Sequence, residues 1–196
     1  MYIRQAGFMN QTTDEQIELL AGKIRSSDKG AYDDFFRMMY AKLSGFAMTY
    51  VHDQNLAYDI VQDAFVILWQ RRAGIDPDKS LKSFMYKAVR NRCLNELRNR
   101  SKEVVSSEVA ENQYKNDEAI EIENDNPLGN HFREWIASLP ERQKEAFELS
   151  RFEGLNHEEI ADLMNISTKT VNNHIVAAMA QLRKCYQQYK QNNQQN

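Results

Sequence analysis

Proline and glycine are scarce in this chain of 196 residues, three and seven respectively, so little in it can interrupt a helix. Pro77, Pro127 and Pro140 lie between periodic segments or at the start of one, where a fixed φ and a missing N–H do no harm. Cysteine is scarcer still. Cys93 and Cys185 stand far apart with no second Cys or His at metal-ligand spacing, which excludes a disulfide framework or zinc knuckle and fits two free thiols in a cytoplasmic protein. The longest apolar run, Ala64 to Trp69, is far too short to cross a bilayer, and Met1 to Asn10 lacks the apolar stretch of a signal peptide. A basic excess is missing too: the net charge of −3 and pI near 5.9 differ from those of a domain that coats nucleic acid by itself. Any DNA contact must therefore be local or shared with a partner.

What remains is an ordinary globular composition, 42% hydrophobic and 27% charged, in a length that allows two small domains with modest cores. Apolar residues at helical spacing predict a first helix over Thr13 to Ile24, with Thr13 and Gln16 as a capping box at its start. A second helix is expected from Lys29 to Val51, where Ala31, Phe35, Met38, Met39, Leu43, Phe46, Ala47 and Tyr50 draw one stripe. A third is expected over about Leu56 to Arg72 and a fourth over about Ser80 to Asn99, separated by a loop carrying Gly74 and Pro77. Between Lys102 and Asp125 periodicity dissolves. Eight acids, Glu103, Glu108, Glu111, Asp117, Glu118, Glu121, Glu123 and Asp125, meet only Lys102 and Lys115, the signature of an acidic linker. Periodicity returns at Leu128 and runs to about Tyr189, followed by a polar tail. No segment alternates with period two and no internal repeat is found, so the fold class is all-α. Two small helical domains are expected at 10–100 and 128–190, joined by the linker 101–127 and followed by the tail 191–196.

The segment Asn156 to Leu182 carries the most specific local pattern. Asn156 and Glu159 form a capping box for a short helix whose Ile160, Ala161 and Met164 face inward. Asn165-Ile166-Ser167 then makes a tight turn, and Asn is the residue best able to replace Gly in a left-handed backbone. Ser167 caps a further helix with a buried stripe of Val171, Ile175, Ala178, Met179 and Leu182. A supporting helix from Ser138-Leu139-Pro140-Glu141 to Phe152, closed by Gly154, precedes the pair. This is a helix-turn-helix. Its outward residues Ser167, Thr168, Lys169, Thr170, Asn172, Asn173 and Val176 would meet DNA, with hydroxyls and Lys169 on phosphates and the asparagines on base edges.

The N-terminal half presents two contrasting faces. Asp59, Gln62 and Asp63 recur at i, i+3 and i+4 on the third helix, suited to a basic partner surface, although such spacing also describes a plain solvated face. On the fourth helix Lys82, Lys87, Arg90, Arg92, Arg98 and Arg100 meet the single acid Glu96, with Phe84 and Tyr86 interleaved. Basic and aromatic side chains together fit a separated strand, its phosphates tracked by cations and its bases stacked on rings. Phe84 serves equally well as a core residue on periodicity alone.

Over nearly its whole length the chain resembles the extracytoplasmic-function group of the sigma-70 family. Asp59-Ile60-Val61-Gln62-Asp63-Ala64-Phe65 with Trp69 is similar to the region that docks on the clamp of the largest polymerase subunit, so the resemblance implies polymerase contacts at Asp59, Gln62 and Asp63. Ser83-Phe84-Met85-Tyr86-Lys87-Ala88-Val89-Arg90-Asn91 resembles the region that melts and reads the minus-ten element, where the family commonly has Trp at the position of Phe84. It implies contacts from Lys82, Ser83, Phe84, Tyr86, Lys87, Arg90 and Asn91, with the loop of about Arg72 to Lys82 holding a flipped base. Leu139-Pro140-Glu141-Arg142-Gln143, Ile160-Ala161, Ile166-Ser167 and Thr170-Val171 are similar to the domain that binds the minus-thirty-five element. Family members often carry Arg where Asn172 and Ala177 stand, which implies fewer charged DNA contacts here. The resemblance further implies core RNA polymerase, promoter DNA and an anti-sigma factor, often membrane-bound, as partners. It implies a linker that threads toward the active centre of the polymerase, and neither cofactor, metal, catalytic residue nor membrane insertion of the chain itself.

Three rivals share some of these features. A response-regulator type of DNA-binding protein would have a similar Thr170-Val171-Asn172-Asn173-His174 helix but needs an α/β domain upstream, for which no strand pattern exists. An enzyme would need a phosphate-cradling Gly loop, a His-Glu-x-x-His or another catalytic constellation, none of which is present. A helical adaptor without DNA contact would be indifferent to loss of the Asn172 side chain.

Overall fold

A computed structural model describes residues 2–76, 79–106 and 127–193. The chain divides into two compact units, Met1–Glu111 and Asn112–Asn196. The first contains α1 (Tyr2–Arg25), α2 (Lys29–Val51), α3 (Gln54–Gln70), a single 3-10 turn (Arg72–Gly74) and α4 (Leu81–Ser106). The second contains α5 (Pro127–Ala137), α6 (Glu141–Arg151), α7 (His157–Met164) and α8 (Thr168–Asn193). Among the described residues there is no strand, as the all-α expectation requires.

Local chemistry sets the helix starts. Asp28 accepts the Ala31 N–H at 3.1 Å to cap α2, and Asp53 accepts the Leu56 N–H at 3.0 Å to cap α3. Ser80 does the same for α4, accepting the Ser83 N–H at 3.1 Å. Such caps satisfy amides that have no partner within the helix. His52, in the left-handed region at φ 51°, ends α2 and lets the chain reverse directly into Asp53.

Each unit has its own core. In the first, Ile17 and Ile24 of α1, Phe35, Met39 and Leu43 of α2, Val61, Phe65 and Leu68 of α3, and Met85, Val89 and Cys93 of α4 are almost wholly removed from solvent. Each large apolar side chain buried this way contributes on the order of 1.5–3 kcal/mol. In the second, Ile136, Leu139, Phe147, Ala178 and Leu182 cluster together with Trp135 and Met179 against them.

Three boundaries differ from the sequence reading. Helix α1 starts at Tyr2 rather than at Thr13, because no proline precedes Thr13 and a Thr-x-x-Gln pattern marks a start only where something stops the helix before it. Helix α4 continues past Asn99 to Ser106, and α8 past Tyr189 to Asn193. In neither does an apolar stripe at helical spacing mark the extension. Most of the acidic linker and the last three residues of the tail lie outside the described residues.

Candidate nucleic-acid interface

The helix-turn-helix expectation is met in detail. Asn156 accepts the N–H groups of Glu158 and Glu159 at 2.9 and 3.0 Å, while the Glu159 carboxylate accepts the Asn156 N–H at 2.8 Å. Helix α7 ends where Asn165 takes φ 56° and ψ 50°, its N–H donating to Ala161. The turn is therefore left-handed at the residue where an asparagine carboxamide tolerates it. Ser167 then accepts the Thr170 N–H at 3.1 Å and α8 begins. Its stripe of Val171, Ile175, Ala178 and Leu182 is buried, with Met179 half-buried.

The opposite face of α8 is open. Thr168, Lys169, Asn172, Asn173 and Val176 are all exposed. The hydroxyls of Ser167 and Thr170 lie 2.8 Å apart, so these two side chains hold the turn together as well as facing outward. A further signal lies in the sequence itself. From 163 to 196 there is no Asp or Glu, while Lys169, Arg183, Lys184 and Lys190 are present. A chain that is acidic as a whole thus ends in an acid-free segment, a local charge pattern that suits a polyanion.

In the first unit α3 presents Asp59, Gln62 and Asp63 together on its exposed face. Asp63 is engaged by Arg92 of α4, with Nη2 2.8 Å from its carboxylate, while the Arg92 Nε is buried without a hydrogen-bond partner. Val66, 50% exposed, continues the stripe one turn on. It also borders a cleft of about 360 Å³ lined by Tyr32, Trp69 and Gln70. Sequence reasoning missed Val66, although i+3 from Asp63 places it on the same face. The Tyr32 hydroxyl donates to the Phe65 carbonyl at 3.0 Å, and burial, helped by the nearby Asp33, holds its pKa above the ordinary value.

Helix α4 divides the residues expected at an opened strand. Phe84, 46% exposed, and Asn91 point outward, and Lys87 is half-buried on the same side. Lys82, Ser83 and Arg90 are buried, and the Lys82 ammonium pairs with Asp14 of α1 at 2.9 Å. Tyr86 is a correction. It is wholly buried and packs edge-on against Phe46 at 5.0 Å, so its ring is not available to stack on a base. Met85, Val89 and Cys93 mark the inward face of α4, and Tyr86 lies next to that stripe rather than across from it. Burial above all, with Glu96 adding to it against a partly opposing backbone hydrogen bond, raises the Cys93 thiol to about 11, leaving it protonated and inert at neutral pH.

The loop before α4 is pinned at its start. Arg72 stacks its guanidinium 4.4 Å from the Trp69 ring centre and donates to the Trp69 carbonyl at 2.7 Å and the Ser27 hydroxyl at 2.8 Å. Residues 77 and 78 of that loop lie outside the described residues. Among the described residues no group of three or more His, Cys, Asp or Glu could hold a metal ion, and no helix is long and apolar enough to cross a membrane.

A helix-turn-helix in one unit, together with a four-helix unit that sets an acidic stripe on α3 against basic residues of α4, defines a class of two-unit, all-helical proteins that carry a DNA-binding type of motif. Family models narrow that class. Sigma-70 region 2 matches residues 35–103 and Sigma-70, region 4 matches residues 132–182. RNA polymerase sigma-H factor of Pseudomonas aeruginosa is 27% identical over 185 residues, covering 89% of this chain and 96% of that protein. The ECF RNA polymerase sigma-E factor of Escherichia coli is 27% identical over 178 residues, covering 86% and 91%. Among solved structures, CnrH in complex with the cytosolic domain of CnrY has a TM-score of 0.58 at 18% identity, covering 88% of this chain and 97% of that one. The sigma factor RpoE in complex with the anti-sigma factor NepR from Bartonella quintana has a TM-score of 0.60 at 20% identity, covering 80% and 96%; both show the same fold. The chain belongs to the extracytoplasmic-function group of the sigma-70 family. It is a promoter-specific transcription initiation factor of RNA polymerase, and not an enzyme.

Proposed function

We propose that the two units divide the work of initiation. Asp59, Gln62 and Asp63, extended by Val66, dock α3 on core polymerase. Phe84, Lys87 and Asn91 on the outer face of α4 take up the opened minus-ten strand. Lys82, Ser83 and Arg90 act from beneath by fixing that helix, and the outer face of α8 holds the minus-thirty-five duplex. The observation that carries this reading is the open face of α8 from Thr168 to Val176, backed by a complete helix-turn-helix and free of acids. Two weak DNA contacts on one chain, fixed to a large enzyme, gain an effective concentration that neither has alone, which reconciles an acidic protein with DNA binding.

The protein would work in the cytoplasm, where promoter and polymerase are. An anti-sigma factor, membrane-bound in one common arrangement, would keep it idle. That expectation is supported by the similar folds of CnrH, solved with the cytosolic domain of CnrY, and of RpoE, solved with the anti-sigma factor NepR. The direct test mixes the purified chain with core RNA polymerase and promoter DNA, then follows co-purification and strand opening near the start site. Co-purification and opening are expected; a chain that ignores core polymerase, or grips a palindrome by itself as a stable dimer, overturns the proposal.

A further inference from the structure

We propose that Val176 and Asn172 make the upstream contact selective for A·T pairs, with Val176 packed on a thymine C5-methyl group and Asn172 bonded to an adenine. The inference rests on the reading of α8 as the duplex-facing helix and adds which bases that helix prefers. Lys169, Asn172, Asn173 and Val176 follow one another at i, i+3, i+4 and i+7, so they share a single face, and all four are exposed. Val176, at 58% exposure, is a large branched apolar side chain at the C-terminal end of that otherwise polar surface.

The major groove has one apolar feature, the thymine methyl, and one edge that suits a carboxamide on both its hydrogen-bonding groups, that of adenine. The outward residues from Ser167 to Val176 include no Arg, and Lys169 is their one cation for the bidentate contact that guanine favours; no Asp or Glu is there to accept from cytosine. Four residues of helix rise about 6 Å, close to two steps of roughly 3.4 Å along a DNA strand. Asn172 and Val176 therefore address pairs about two steps apart when α8 lies along the groove. Lys169, in the first turn, is placed for a phosphate, where the helix N-terminus adds its own partial positive charge.

The test uses holoenzyme assembled from the full chain and core polymerase of the same species, on a promoter duplex that this holoenzyme selects from a random pool. Each thymine of the upstream element is replaced in turn by deoxyuridine, which removes the methyl and keeps every hydrogen-bonding group. One position is expected to weaken binding about three- to five-fold, the worth of one buried methyl, and Val176→Ala holoenzyme should be indifferent at that position. Asn172→Ala should bind about ten-fold more weakly and cease to distinguish adenine from 7-deazaadenine at a nearby pair. If no uracil weakens binding, or if Val176→Ala loses as much as the parent, the methyl contact is wrong. Scrambling the whole element separates the two levels. Should scrambling weaken binding while single uracils do not, only the base assignment fails; should scrambling change nothing, the reading of α8 fails with it.

Discussion

Of the seven α4 residues expected at an opened strand, Lys82, Ser83, Tyr86 and Arg90 are buried, whereas none of the seven at the helix-turn-helix is. Under the proposed division of labour, the difference follows from what each helix would face. Duplex DNA offers a regular groove that a continuous, preformed face can match, so α8 keeps one side of several turns open. A separated strand is irregular, and a few protruding groups such as Phe84 suffice if the helix beneath them is rigid. Helix α4 accordingly gives most of its first three turns to the core and to ion pairs.

That contrast can be broken most sharply inside α4. Tyr86→Ala is expected to destabilise the first unit by about 3–5 kcal/mol, as for other large aromatic truncations in a core. Phe84→Ala should leave its stability nearly unchanged while lowering strand opening by about ten-fold, the worth of one stacked base. The two tryptophans, Trp69 and Trp135, lie in different units, so denaturant titrations of the Trp135→Phe background report on the first unit alone. Equal losses of stability in the two variants would erase the distinction.

Charge reversal at Asp63 comes next. Asp63→Arg places two guanidinium groups together where Arg92 now meets a carboxylate, and should weaken binding to core polymerase by ten-fold or more. Arg92→Ala frees the carboxylate and should cost far less. A core-binding titration with both variants shows whether docking uses Asp63 itself; unchanged affinity in Asp63→Arg removes α3 from the interface.

Smaller effects are expected in the second unit. Asn156→Ala removes the side-chain half of the capping box, leaving the backbone N–H of residue 156 to Glu159, and should cost about 1 kcal/mol, seen as a lower unfolding midpoint by Trp135 fluorescence. Glu148→Gln should act in the opposite direction. Burial first, with Glu153 and Glu145 adding to it against the opposing Lys144, raises the Glu148 pKa above its ordinary 4.5. The folded state thus holds this proton more tightly than the unfolded chain, and stability falls as pH climbs through the raised value. Glu148→Gln should raise the midpoint at neutral pH, with the gain fading as the pH drops through the raised value and gone below about 4.5; a gain that persists in acid would contradict the burial effect.

Much of this was legible in the residues. The caps at Asn156 and Ser167, the left-handed Asn165 and the bounds of α2 follow from side chains that act within three or four positions of themselves, which is what a sequence displays directly. The burial of Tyr86 was not legible, because its neighbour Phe46 comes from another helix and basic residues on both sides of it suggested an outward face. The Asp63–Arg92 pair escaped for the same reason, since its partners are 29 positions apart. Val66 was read only as one member of an apolar run, when its position on the stripe mattered more than its chemistry.

Lys82 lies two positions before Phe84, and its ammonium, on a side chain largely withdrawn from solvent, pairs with Asp14, on a helix that contributes no residue to either proposed DNA contact. Removing that carboxylate would strand a cation in a largely water-free setting, at a cost well above that of a surface ion pair. The opening helix α1 is thus an electrostatic keystone: shortening the chain past residue 14 would loosen the start of α4 and misplace the ring proposed to meet the strand, though the cut falls nowhere near it in sequence.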